Sequence, residues 1–122
     1  MQEVPLIGIV DDDPDIPAAL ASLIRSLGYK AVCFSSAEAL LSSKDVHRFN
    51  CVISDIHMPN MSGLDLIALL KKLRPELPVI LMTGRFEPGL ADKAALAGAA
   101  VLVTKPFVLG DLLETISRSV RG

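Results

Sequence analysis

Five short apolar runs, each followed by a stretch whose apolar residues recur at helical spacing, constrain this chain more than any other feature of it. The runs fall at 6–10, 30–34, 51–54, 79–82 and 101–104. After the first, Ile16, Leu20, Leu23, Ile24 and Leu27 mark the inward face of a helix, with Pro14 and Pro17 in its opening turn and Gly28 as its C-terminal cap. Ser35-Ser36-Ala37-Glu38 is a capping-box pattern that opens a short second helix over 37–41. A third helix carries Leu66, Leu69, Leu70 and Leu73 on one face and ends before Pro75. The fourth runs from Pro88 or Gly89 to Ala97, where Gly98 stops it, and the fifth covers 109–119 with Leu109, Leu112, Leu113, Ile116 and Val120 inward.

Strict alternation of strand and helix predicts an α/β fold: a single doubly wound five-stranded parallel sheet, order 2-1-3-4-5, with five helices on both faces. A chain of 122 residues suffices for one core, and its apolar half, free of Trp, suits aliphatic helices on a buried sheet. Cys33 and Cys51 each fall inside an apolar run with no second thiol or histidine at metal-ligand spacing, so both are expected to be buried free thiols. A net charge of -2, with no local cluster of Lys and Arg, speaks against direct nucleic-acid binding. Neither a leader pattern nor an apolar run of bilayer length is present, so no membrane association and a cytoplasmic location are expected.

In doubly wound sheets ligands bind beyond the carboxyl ends of the strands, where the winding reverses, here between strands one and three. Strand one ends in Asp11, Asp12 and Asp13, strand three in Asp55, strand four in Thr83 and strand five in Lys105. Carboxylates on adjacent parallel strands can share one hard cation, and all-oxygen ligation suits Mg²⁺, with Mn²⁺ the alternative. A metal and an ammonium facing each other make a socket for a phosphoryl group, and a free carboxylate can attack it. Asp55 is the best nucleophile because it stands alone on the central strand while Asp11 and Asp12 are paired.

Taken together, "VDDD", "SDIHMPNMSGLDL", "VILMTG" and "TKPF", in this order and separation, resemble the receiver domain of two-component response regulators. The resemblance implies one receiver domain over 1–122, a signalling switch that catalyses only its own phosphorylation and dephosphorylation. It implies that Asp55 accepts a phosphoryl group from the phosphohistidine of a sensor histidine kinase. Asp12 would bind Mg²⁺ directly, Asp11 mainly through water, and the backbone carbonyl of His57 would complete the protein ligands. Thr83 matches the switch hydroxyl, Gly84 the small residue that leaves room beside it, and Lys105 the phosphate-contacting lysine. Pro106 is expected to follow a cis peptide. Leu102 stands where many receivers carry an aromatic. The face of helix four, strand five and helix five is expected to change on modification, to form a phosphorylation-dependent homodimer, and to control an output domain or effector, with transcription regulation among the outcomes.

Several residues keep two readings. His57 is either a rim residue tuning access of water to the acyl phosphate or without a role, and Arg85 shares that ambiguity. Asp13 either supports the metal site or caps helix one, the cap being preferred, and Asp15 then lies in the first turn where the helix dipole favours it. Met58 to Gly63 reads as a turn whose Pro and Gly set backbone angles, and His47 as a loop residue. A calcium loop at Asp11, Asp13 and Asp15 fails at Ile16 and Ser22. A flavodoxin-like carrier is disfavoured by the acidic first loop. An aspartyl-phosphate phosphatase-like enzyme using the Asp11–Asp13 motif remains the alternative, although no cap domain accompanies it.

Overall fold

The structure, a computed structural model, describes residues 4–85, 87–105 and 109–121. Each apolar run forms a strand: β1 (Leu6–Val10), β2 (Lys30–Phe34), β3 (Cys51–Asp55), β4 (Val79–Thr83) and β5 (Val101–Thr104). They pair in parallel in the order β2-β1-β3-β4-β5, as the alternation predicts. All of β3 and β4 is buried, whereas the edge strands β2 and β5 each expose part of their length, the expected gradient for a sheet covered on both faces. The helices are α1 (Asp15–Ser26), α2 (Ala37–Leu41), α3 (Gly63–Leu73), α4 (Leu90–Ala97) and α5 (Leu109–Arg121).

Alternation along the strands sorts the core into two layers. Ile7, Ile9, Ile53, Ile80 and Met82 face one side and pack with Leu20 and Ile24 of α1 and Leu112 and Ile116 of α5. Val10, Val52, Val79 and Leu81 face the other, against Leu40 of α2, Leu66 and Leu70 of α3 and Leu90 and Ala94 of α4. Gly28 and Gly98 follow α1 and α4 at φ 91° and 100°, the left-handed conformation that ends a helix cheaply only in glycine.

Three expectations need correction. Leu27 is 44% exposed because the helix has ended at Ser26 and the chain is already turning. On α3 the buried face is Gly63, Leu66, Ile67 and Leu70, while Leu69 and Leu73 are exposed; the helix is rotated so that Ile67 meets the sheet. Cys33 is exposed although it shares the α1-facing side of β2 with buried Ala31, because β2 is an edge strand with no neighbour beyond it, and of the two cysteines only Cys51 of central β3 is buried.

Capping also differs in detail. Ser36, rather than Ser35, caps α2 by accepting the Ala39 N–H, which leaves Glu38 outside the box. The full capping box is at α3, where the Ser62 hydroxyl accepts the Asp65 N–H and the Asp65 carboxylate accepts the Ser62 N–H, both at 3.2 Å. That box fixes where the chain re-enters a helix after β3, directly behind the strand-end carboxylate.

Candidate functional site

The reversal of winding leaves β1 and β3 side by side, and each delivers a carboxylate just where its ladder ends. Asp11, one residue past β1, still donates its N–H to the Phe34 carbonyl at 3.2 Å, so its position is fixed by the sheet. Its Oδ1 accepts the Asp13 N–H at 2.9 Å, which turns the chain and sends Asp12 outward. Asp13 Oδ1 in turn accepts the Asp15 N–H at 2.9 Å, so Asp13 turns the chain into α1, but it is not the expected cap: the N-cap position is Pro14, which has no side-chain cap, and Asp13 stands one residue before it. Asp13 is outside the set of acids whose oxygens converge, Asp11, Asp12 and Asp55, so the phosphatase-like use of the Asp11–Asp13 motif gains no support.

Asp55 ends β3 and is held from behind. The Ser54 hydroxyl donates to the Asp55 carbonyl at 2.9 Å, and the Ile56 N–H reaches the Met82 carbonyl at 2.9 Å. Gly63 packs against the same backbone: a Cβ there would collide with the Asp55 carbonyl oxygen and lie 2.9 Å from Ile56 Cα. Its φ is not in the left-handed region, which in this turn falls to Asn60 at 70°. Gly63 is thus required for close approach and not for a backbone angle.

These elements bring Asp11, Asp12 and Asp55 together, with one carboxylate oxygen from each lying within 4.8 Å of the others. Asp11 and Asp55 are buried, at 2% and 6% exposure, and Asp12 faces solvent. Lys105 Nζ lies 3.0 Å from Asp11 Oδ2 and 3.3 Å from Asp55 Oδ1. Burial pushes the Asp55 carboxyl up from its ordinary value; Lys105 opposes this, and the charges of Asp11 and Asp12 add to it. For Lys105, burial alone would lower its pKa, but the hydrogen bond to Asp11 and the charges of Asp55 and Asp11 outweigh it and raise the value. Two buried acids balanced by one partly buried cation leave excess negative charge. An all-oxygen set of this size and charge fits a hard divalent cation.

Thr83 ends β4, buried at 3% exposure. Its hydroxyl oxygen lies 3.0 Å from the Arg85 carbonyl oxygen, accepts the Arg85 N–H at 3.1 Å, and stands 3.2 Å from His57 Nε2. Glu87 Oε1 is 3.6 Å from the same nitrogen. Arg85 therefore contributes through its backbone, while His57, Arg85 and Glu87 share a cavity of about 580 Å³ with Asp12 and Lys93. Nothing in the sequence marks Glu87 except its place just before α4. Among the described residues, a Cβ on Gly84 would meet only the Lys105 side-chain stem, at 3.9 Å. Leu102 is half-buried and, with Thr83, Leu90 and Thr104, lines a second cavity of about 210 Å³. Pro106, and with it the expectation of a cis peptide there, lies outside the described residues.

A family model described as the response regulator receiver domain matches residues 7–117. The chain belongs to that family. Among its relatives, the response regulator protein TmoT of Ectopseudomonas mendocina is 42% identical over 116 residues, covering 95% of this chain and 53% of TmoT. TodT of Pseudomonas putida is 40% identical over the same length, covering 95% and 51%. The receiver thus spans about half the length of the curated relatives it matches. The BeF3-activated receiver domain of DrrB superimposes with a TM-score of 0.91 at 30% identity, covering 98% of this chain and all of that one. The FixJ N-terminal domain gives 0.84 at 31% identity, covering 99% and 96%. The fold and the signalling class, a receiver of two-component systems rather than a conventional enzyme, follow from these matches. Among the described residues, no helix is long and apolar enough to cross a membrane.

Proposed function

We propose that this receiver is a phosphorylation-controlled switch in which Asp55 accepts a phosphoryl group from the phosphohistidine of a sensor histidine kinase. The observation that carries the reading is the convergence of Asp11, Asp12 and Asp55 with Lys105 bridging the two buried acids. An Asp55 oxygen attacks phosphorus, the phosphorus–nitrogen bond to the donor histidine breaks, and the imidazole leaves. Raised basicity makes the Asp55 carboxylate a better nucleophile, and Lys105 is placed to turn from it to the arriving phosphoryl oxygens. Asp11, Asp12, Asp55 and the His57 backbone carbonyl would hold Mg²⁺, or Mn²⁺ in its place. When bound, the cation neutralises the acids and the transferring oxygens together.

The readout begins at Thr83, whose hydroxyl turns toward the new phosphoryl group, with Gly84 leaving room beside it. The cavity walled by Thr83, Leu90 and Leu102 gives that motion space without an aromatic at position 102. The face formed by α4, β5 and α5 then changes and dimerises or engages an output domain or effector. Exposed Leu96 and Val101, at 89% and 38%, supply apolar surface on that face. FixJ, a relative 32% identical, is a transcriptional regulatory protein, which favours transcriptional output.

Weighing the protein after incubation with Mg²⁺ and a small acyl phosphate tests the central step. One added phosphoryl group is expected, absent in Asp55→Asn. No gain, or a gain that survives the substitution, would sink the assignment.

A further inference from the structure

Among the described residues, the Thr83 hydroxyl has three polar neighbours, the Arg85 N–H at 3.1 Å, the Arg85 carbonyl oxygen at 3.0 Å and His57 Nε2 at 3.2 Å. A threonine hydroxyl offers one hydrogen and two lone pairs. All three contacts are hydrogen bonds in only one assignment: the hydroxyl donates to the Arg85 carbonyl and accepts both from the Arg85 N–H and from a hydrogen on His57 Nε2. The tautomer is assigned from this network. Glu87 Oε1, 3.6 Å from that nitrogen, favours a hydrogen there and joins the cluster to the loop leading into α4, where the Leu90 N–H reaches the Glu87 carbonyl at 3.2 Å. Thr83 is thereby saturated as well as buried.

We infer that the His57 side chain is the latch of the Thr83 switch, holding the hydroxyl on Arg85 in the unmodified receiver and tying it through Glu87 to the entrance of α4. This rests on the reading of Thr83 as the switch hydroxyl. To move toward Asp55, the hydroxyl must give up the His57 bond and both Arg85 bonds, so the latch sets how readily the α4 end responds. The His57 side chain is a positioning group, because it acts on Thr83 and touches no reacting atom; the backbone carbonyl that would hold the cation is a separate part of the residue, kept in every His57 variant. It differs from a rim residue that only regulates water, whose removal would leave the backbone at Arg85 undisturbed. It also differs from a side chain that merely fills the cavity, whose loss would be felt whether or not Thr83 carries a hydroxyl.

Native-state hydrogen exchange on the full chain separates these roles, using the unmodified wild type, His57→Ala, His57→Gln, Thr83→Ala and the double variant His57→Ala/Thr83→Ala. Loss of one hydrogen bond from the hydroxyl is expected to speed exchange of the Arg85 amide roughly fivefold in His57→Ala. His57→Gln, which keeps an N–H donor, should recover part of the protection. In the Thr83→Ala background the Arg85 amide has already lost its acceptor, so removing His57 should add nothing. Phosphorylated wild type should show the same deprotection at Arg85. Unchanged Arg85 exchange in both His57 variants, an equal effect of His57→Ala with and without Thr83, or full Arg85 protection in the phosphorylated form would each overturn the latch. If wild type takes up no phosphoryl group, the reading of Asp55 fails, while the comparison among unmodified variants still decides for or against the His57–Thr83 bond.

Discussion

Lys105 Nζ stands between two buried carboxylates, 3.0 Å from Asp11 Oδ2 and 3.3 Å from Asp55 Oδ1, and so links the ends of β1, β3 and β5 through one cation. Replacing it with Met keeps most of the apolar stem but leaves both acids facing each other without a counter-charge. A loss of about 1–3 kcal/mol is expected, the range for a buried acceptor left without its donor; the partial exposure of Lys105 keeps it below the full cost of breaking a buried ion pair. Urea unfolding without divalent cations measures it, and the loss should shrink when Asp55→Asn is added. A fully additive double variant would show that Lys105 and Asp55 are not coupled.

Gly63 makes a prediction of a different kind, because the space it leaves is filled by backbone. In Gly63→Ala the new methyl meets the Asp55 carbonyl, with Ile56 Cα at 2.9 Å and the Asp55 carbonyl carbon at 3.1 Å. Main chain in a central strand cannot yield as a flexible side chain would, so about 1–3 kcal/mol of stability should be lost. Because the displaced group is Asp55 itself, phosphoryl uptake should fall as well, even at temperatures where the variant remains folded. A variant of normal stability and uptake would mean that the turn after β3 gives way more easily than its hydrogen bonds indicate.

Much of this is legible in the sequence alone. The Val, Ile and Leu of the five strands cannot be mistaken when glycine and proline punctuate them, and the topology follows from alternation and handedness. What escaped was set by three-dimensional context. Asp55 and Thr83 extend β3 and β4 by one residue beyond the apolar runs, because ladder pairing continues through a polar residue when its neighbours permit it. The rotation of α3 placed Ile67 inward in preference to Leu69, a choice that periodicity leaves nearly even. Cys33 looked like Cys51 in sequence, yet one lies on an edge strand and the other at the centre. Asp11, Asp55, Thr83 and Lys105 are legible because each ends a strand or stands one residue past it, whereas Glu87 adjoins none and is brought to His57 by the fold of a loop.

The two thiols should therefore react differently. Burial pushes Cys51 up to about 12 and raises Cys33 as well, though for Cys33 the Arg25 charge works against the shift. Since the thiolate is the nucleophile, native protein treated with an aromatic disulfide near neutral pH should label Cys33 slowly and Cys51 not at all. Cys33 labelling should quicken as pH rises, and both thiols should react once the chain is unfolded in urea. Mass mapping that found Cys51 labelled in the native state would contradict the closed packing of β3.

Asp55 also ties stability to pH and to divalent cations. Its folded pKa is raised, so below the unfolded value near 3.8 the group is protonated in both states and costs nothing; as pH rises through the folded value the buried charge forms and stability is lost. Lys105, whose folded pKa is also raised, acts in the same direction at the alkaline end: its stabilisation is fully present below the unfolded value near 10.5 and is lost as pH rises through the raised folded value. At neutral pH the metal-free receiver thus carries an acid whose ionisation is unfavourable, and Asp55→Asn should raise its melting temperature. A divalent cation should do the same for the wild type by binding only the folded acids. At ten times its dissociation constant the gain is about 1.4 kcal/mol, or about 5 °C for a domain of this size. The increment should be smaller in Asp55→Asn, which keeps two of the three charged donors. Thermal scans at neutral pH, with and without Mg²⁺, check both halves. Equal Mg²⁺ increments in the two proteins would place the bound ion somewhere other than between Asp11, Asp12 and Asp55.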